Sequence, residues 1–125
     1  MARTPLGRVR GLGAARSGTE HFWKQIVTSV ASIPLTIFFI GLVLSLIGKS
    51  WADAVAVLGN PAVAILLSLF VLVSVEHMRI GMQVVVEDYV HSDLPKAVLL
   101  MLNTFYSYGL GFAAVFAIAK LSFGV

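Results

Sequence analysis

Three long apolar stretches constrain the fold of this chain more than any other feature. They cover about residues 26–47, 62–89 and 97–120, and each is long enough for a helix to cross the ~30 Å hydrocarbon core of a membrane. Hydrophobic residues make up 58% of the chain and charged residues only 12%, which is outside the usual range of soluble domains. We therefore predict an all-α integral membrane protein in which residues 19–125 form a three-helix anchor domain.

The segment before the first apolar stretch is basic and lacks apolar periodicity. Its cationic residues are Arg3, Arg8, Arg10, Arg16 and Lys24. We expect residues 1–18 to be an irregular tail on the anionic inner face of the membrane, where lipid or a bound protein, and not nucleic acid, is its partner. The positive-inside rule then places the N-terminus inside and the C-terminus outside.

The compartment and the redox chemistry are also constrained by composition. The membrane is a bacterial inner membrane or, because the tail is basic and free of acids until Glu20, the mitochondrial inner membrane. The chain has no cysteine, which excludes disulfides and thiolate metal sites.

Polar residues between the apolar stretches predict where the helices begin. Thr19 is a candidate cap for the first helix and Asp93 for the last, with Pro95 tolerated in its first turn. Residues 48–61 are expected to form a loop, with Trp51 as an anchor at the membrane interface.

Small and hydroxyl-bearing residues predict the contacts between helices. Pro34 is expected to bend the first helix without ending it. Hydroxyl residues recur every four positions in that helix, and a helix-packing role is favoured for them over contact with a ligand. The members of this seam are Thr28, Ser32 and Thr36. In the third apolar stretch, Ser107, Gly111 and Ala114 offer close backbone approach to a neighbour.

His77 lies inside the second apolar stretch, where an ionisable residue is costly and a functional candidate. It could be a structural hydrogen-bond donor, a proton relay or an axial ligand. Gly81 follows on the same helical stripe and leaves room for a flat macrocycle such as haem. Because His21 and His91 both fall at the membrane edge, a second axial histidine would have to come from another chain.

The other polar residues of this helix form two pairs, and a different role is predicted for each pair. Glu76 and Arg79 are spaced to form an ion pair, with Arg79 extending toward the inner surface. Asp88 and Tyr89 come at the helix end, about 16 Å from His77 at ~1.5 Å per residue. Together with His77 they suggest a pocket for a polar headgroup such as a quinone, to which a phenol can donate a hydrogen bond.

The second apolar stretch and the tail resemble a known family. His77 with Gly81, residues 83–85, Asp88-Tyr89-Val90-His91 and Asp93 resemble the small D-type membrane anchor of succinate dehydrogenase, respiratory complex II. Residues 11–15, 18–19 and 21–23 further resemble the tail of alphaproteobacterial members.

The resemblance implies specific cofactors and partners. His77 would be one axial ligand of haem b, with Gly81 packing against it, and the other ligand would come from a C-type cytochrome b anchor subunit. Tyr89 would bind ubiquinone with support from Asp88. FAD and iron–sulfur clusters would belong to a flavoprotein subunit and an iron–sulfur subunit docked on the inner face.

The expected function is therefore a non-catalytic anchor of succinate:ubiquinone oxidoreductase. Two alternatives remain open at this point. The chain could anchor a fumarate reductase, which uses the same parts in the opposite direction. It could also be a small transport or assembly protein in which His77, Glu76 and Arg79 form a proton relay.

Overall fold

The structure is a computed structural model that describes residues 5–6 and 15–124, with only the backbone described for residues 15–18 and for His21. The predicted tail therefore lies mostly outside the described residues. Its last part was predicted wrongly as irregular, because residues 15–18 are already helical.

Four helices account for the described chain, and the all-α prediction is confirmed. They are α1 (Ala15–Leu46), α2 (Trp51–Leu58), α3 (Pro61–Tyr89) and α4 (Asp93–Phe123). Three segments are long and apolar enough to cross a membrane, namely Phe22–Leu46, Pro61–Tyr89 and Asp93–Phe123. The chain is an integral membrane protein with the three spans that the apolar stretches predicted.

Two of the predicted helix starts are wrong. Helix α1 begins at Ala15, so Thr19 lies within the helix and does not cap it. Helix α4 has Ser92 at the N-cap position, and Asp93 is its first helical residue, where its carboxylate favourably meets the positive end of the helix. Pro95 lies in the first turn as predicted, because its missing amide hydrogen is not needed there.

The predicted loop between the first two spans contains the short helix α2. Ser50 caps this helix by accepting a hydrogen bond from the Asp53 amide at 3.2 Å. Asn60 caps α3 in the same way through the Ala62 amide at 3.0 Å, with Pro61 at the first helical position. Only a tight connection separates α2 from α3, so the chain turns directly into the second span.

Helix α3 packs against α1 on one side and α4 on the other. The contact with α4 is close. Ser107 is fully buried, and a side-chain carbon added at Gly111 would lie 3.5 Å from the nearest methyl carbon of Val75. The predicted role of small residues in α4 is confirmed here, because only small side chains allow the two backbones to approach this closely.

In the C-terminal half of α1, stacked aromatic rings make the contact with α3. The rings of Phe39 and Phe70 have centroids 4.5 Å apart and are nearly parallel. Helix α1 continues through Pro34 to reach this contact. Within the described part of α1, Leu42 is the one buried side chain, so this helix is covered far less than α3.

The C-terminal ends of α2 and α4 are held together by a close contact. Ser122 donates a hydrogen bond to the Gly59 carbonyl at 3.2 Å, and Gly59 lies against the backbone of Leu121. Because a side-chain carbon at Gly59 would come within 3.0 Å of the Leu121 carbonyl oxygen, this turn needs glycine for close approach.

Candidate functional site

His77 is half-buried on the face of α3 that meets α1. Its Nδ1 atom lies 3.3 Å from the Thr28 hydroxyl oxygen. That hydroxyl is also 2.8 Å from the Lys24 carbonyl and 3.1 Å from the Gln25 carbonyl of its own helix. The imidazole is thus held against α1 through one ring nitrogen.

Beside His77 the surface of α3 is open. A side-chain carbon added at Gly81, one turn along the helix, would meet nothing within 4 Å in the described chain. On the facing helix, the side-chain oxygen of Gln25 is buried and has no hydrogen-bond partner among the described residues. Buried polar atoms are almost always paired, so this oxygen is an exception within the described chain.

Glu76 and Arg79 form the predicted ion pair. The Arg79 Nε donates to one Glu76 carboxylate oxygen at 3.1 Å, and the guanidinium also contacts the other oxygen. The guanidinium carbon lies 5.5 Å from the ring centroid of Tyr108 on α4, within range of a cation–π contact. The pair satisfies itself, and its arginine is turned toward α4.

The backbone beneath this ion pair is tied to α4. Asn103 donates a hydrogen bond from its side-chain amide to the Arg79 carbonyl at 3.0 Å, and its oxygen accepts one from Ser107 at 3.4 Å. In this part of the described chain the polar side chains between α3 and α4 therefore have partners.

Asp88 and Tyr89 lie at the last turn of α3 and are exposed, Tyr89 to 79%. Among the described residues, neither side chain makes a hydrogen bond or an ion pair. The structure does not bring them to His77, since the straight helix keeps them three turns apart. It does leave both polar groups available at the membrane edge.

Two apolar grooves lie between α3 and α4, of about 600 and 430 Å³, and neither is lined by a predicted site residue. Among the side chains that the structure describes, no cluster of three or more His, Asp or Glu could hold a metal ion.

Sequence reasoning missed the residues that surround His77 on the facing helix. Thr28 was assigned to a helix seam, yet it contacts the candidate ligand, whereas Thr36 of the same predicted seam is exposed. Gln25 was not singled out. Their depth in the membrane could have indicated this contact, because in antiparallel spans the polar residues early in α1 lie level with polar residues late in α3.

The chain was compared with known proteins. The family described as "Succinate dehydrogenase/Fumarate reductase transmembrane subunit" matches residues 1–119. The chain belongs to this family. Membership confirms the resemblance found in the α3 sequence and agrees with the three spans of the structure.

Relatives of this family member carry matching names. A succinate dehydrogenase hydrophobic membrane anchor subunit of Paracoccus denitrificans is 33% identical over 97% of this chain and 93% of its own length. One of Rickettsia bellii is 25% identical over 84% of both chains. A succinate dehydrogenase membrane anchor subunit of Reclinomonas americana is 27% identical over 70% of this chain and 75% of its own length. No solved structure matches the chain significantly.

Proposed function

We propose that this chain is the hydrophobic membrane-anchor subunit of a succinate dehydrogenase in a bacterial inner membrane. The sequence identity of 33% to the Paracoccus anchor over nearly the whole of both chains supports the assignment. The single structural observation that carries it is the half-buried His77, held at Nδ1 by Thr28 and facing open space at Gly81.

The residues around His77 fit haem b. One ring nitrogen is occupied by Thr28, so Nε2 is available as an axial ligand, and the open backbone at Gly81 leaves room for a flat ring. When bound, haem b supplies one-electron transfer. A second protein ligand would come from a C-type cytochrome b anchor subunit, because the other histidines of the sequence, His21 and His91, fall at the membrane edge.

Tyr89 and Asp88 form this chain's share of the ubiquinone site. The exposed phenol can donate a hydrogen bond to a quinone carbonyl, and the carboxylate beside it can accept and pass a proton. With the basic N-terminal segment on the inner side, this end of α3 faces the inner surface. The flavoprotein and iron–sulfur subunits dock there and oxidise succinate, and their electrons reduce ubiquinone.

A fumarate reductase anchor is the second candidate, and the family description itself names both enzymes. The proton-relay hypothesis has less support from the geometry. Among the described residues, Glu76 and Arg79 pair with each other and His77 contacts Thr28, so the three side chains are not joined in a relay.

The assignment is tested by purifying the chain with its bound partners. A dithionite-reduced-minus-oxidised spectrum should show a low-spin b-type signal, and mass spectrometry should identify a flavoprotein and an iron–sulfur protein. His77→Ala should abolish or strongly weaken the haem signal while the three helices still insert. Normal haem ligation in that variant would refute the assignment of His77.

The quinone site is tested separately. Tyr89→Phe removes one hydroxyl and almost no volume, so the complex should assemble with haem but reduce ubiquinone about 100-fold more slowly, the lower end of the range for loss of a positioned proton donor. Tyr106→Phe, an exposed tyrosine on α4, is the matched control. Unchanged quinone kinetics in Tyr89→Phe would remove Tyr89 from the site.

A further inference from the structure

We propose that Thr28 is a positioning residue for His77, whose hydroxyl accepts the Nδ1 proton and thereby presents Nε2 to the haem iron. This inference rests on the proposed function, because it assumes that His77 is an axial ligand. It adds a role on a different helix for a residue that sequence patterns assign to helix packing.

The argument begins with the single proton of the Thr28 hydroxyl. Two carbonyl oxygens of its own helix lie within reach, that of Lys24 at 2.8 Å and that of Gln25 at 3.1 Å. The contact with the Lys24 carbonyl at 2.8 Å is shorter than the 3.3 Å contact with His77, so we assign the hydroxyl proton to the carbonyl, which can only accept. Toward His77 the hydroxyl oxygen can then present only a lone pair.

The tautomer of the imidazole follows from this. A hydrogen bond of 3.3 Å between Nδ1 and the Thr28 oxygen requires a proton on one of the two atoms, and the hydroxyl proton is already used. The proton is therefore on Nδ1. In the neutral ring Nε2 then carries the free lone pair, which is the form a metal ligand needs.

The same contact fixes the orientation of the ring. Threonine is branched at Cβ and has few rotamers in a helix, and its bond back to the preceding turn selects one of them. The acceptor atom is therefore held still on α1. The stacked rings of Phe39 and Phe70 hold α1 against α3 further along the helices, which keeps Thr28 and His77 next to each other.

A hydrogen bond at Nδ1, the ring nitrogen that does not bind the metal, has a measurable effect on a metal bound at Nε2. It makes the imidazole a stronger donor, which stabilises the ferric state more than the ferrous state and lowers the midpoint potential. Loss of such a partner commonly weakens metal binding by about 10- to 100-fold. Thr28 thus influences both haem retention and haem potential without contacting the macrocycle.

The test uses the assembled complex with Thr28→Val, Thr28→Ser and a matched control. Valine keeps the shape and removes the acceptor, whereas serine keeps the hydroxyl. Thr104→Val is the control, since Thr104 is half-buried on α4 and its hydroxyl bonds to the Leu100 carbonyl of its own helix at 3.0 Å. Haem content after dialysis against an apo-protein acceptor and the midpoint potential are measured for each.

Thr28→Val should lose haem about 10- to 100-fold more readily and raise the midpoint potential, by about 59 mV if the preference for ferrous iron changes tenfold. Thr28→Ser and Thr104→Val should stay close to the unmodified complex. A Thr28→Val complex with unchanged haem retention and potential would overturn the inference.

His77→Ala distinguishes failure of this inference from failure of the proposed function. If His77→Ala keeps normal haem, the proposed ligand is wrong. If it loses haem while Thr28→Val behaves normally, only the role of Thr28 is wrong.

A second measurement needs neither variant of Thr28. Nitrogen NMR shifts of isotope-labelled histidine in the full-length, haem-free chain, assigned by comparison with His77→Ala, should show Nδ1 protonated and Nε2 unprotonated. The opposite tautomer would overturn the inference even if Thr28→Val fails to assemble.

Discussion

The two sides of α3 are built differently. Toward α4 the polar contacts are closed within the chain, although two apolar grooves flank the two helices: Ser107 is fully buried, Gly111 admits Val75 closely, and Asn103 bonds the Arg79 carbonyl. Toward α1 the polar contacts are open, with a half-buried His77 and a buried Gln25 oxygen that has no partner within the described chain. The difference teaches that the polar side chains between α3 and α4 are paired within the chain, whereas the α1 side keeps a buried polar atom unpaired among the described residues.

The physical reason lies in how helices associate in lipid. Apolar side chains gain little from leaving lipid for protein, so close packing of small residues and interhelical hydrogen bonds must hold the helices together. The α3–α4 side has both features. The α1–α3 side has an aromatic stack and the contact of Thr28 with His77, but its buried Gln25 oxygen is unpaired among the described residues.

The largest effect is expected when the ion pair on the closed side is broken. Arg79→Leu leaves the Glu76 carboxylate without its partner in a mostly buried position. The Arg79 side chain is 15% exposed and the Glu76 side chain 28%. The full-length chain in detergent should lose about 3 kcal/mol of stability, the lower end of the range for a buried pair. Thermal unfolding followed by circular dichroism measures the loss, and Glu76→Leu with Arg79→Leu should recover most of it.

A steric change at the same contact tests whether close approach holds α4. Gly111→Leu should push α4 away from Val75 and cost about 1–3 kcal/mol, as overpacking does in tight contacts. Gly111→Ala is the matched control, because its added carbon would make an ordinary contact at 3.5 Å. Equal stability of the two variants would show that the contact is looser than described.

On the open side, Gln25→Leu tests the cost of the unpaired oxygen. The change removes a buried oxygen with no partner among the described residues, and the full-length chain should be stabilised by about 1 kcal/mol. Thermal unfolding of the chain in detergent measures the difference, and a loss of stability would mean that this oxygen is paired in the folded chain.

The smallest effect belongs to the interhelical hydrogen bond of Asn103. Asn103→Leu removes its bond to the Arg79 carbonyl, which should cost about 0.6 kcal/mol, the average for such bonds in membrane helices. The haem spectrum of the complex should not change, because the bond lies on the closed side. A shifted spectrum would show that the two sides of α3 are coupled.

The sequence by itself determined the fold class, the three spans and the pairing of Glu76 with Arg79. Span length against membrane thickness and helical spacing at three residues are local properties, and they can be derived without knowing which helices touch. The sequence also singled out His77 and Gly81 on one stripe. Helix ends were less accurate, since Ser50 and Ser92 took cap positions that nearby residues could equally have filled.

Only the tertiary structure decided which helix faces which side of α3. Thr28 and His77 are forty-nine residues apart, and their contact exists because α1 and α3 run antiparallel at one particular depth and rotation. No local pattern fixes that rotation, since hydroxyl residues occur on α1 at Thr28, Ser32 and Thr36 alike. The packing of α3 between its two neighbours selects Thr28 to meet the imidazole and leaves Thr36 exposed.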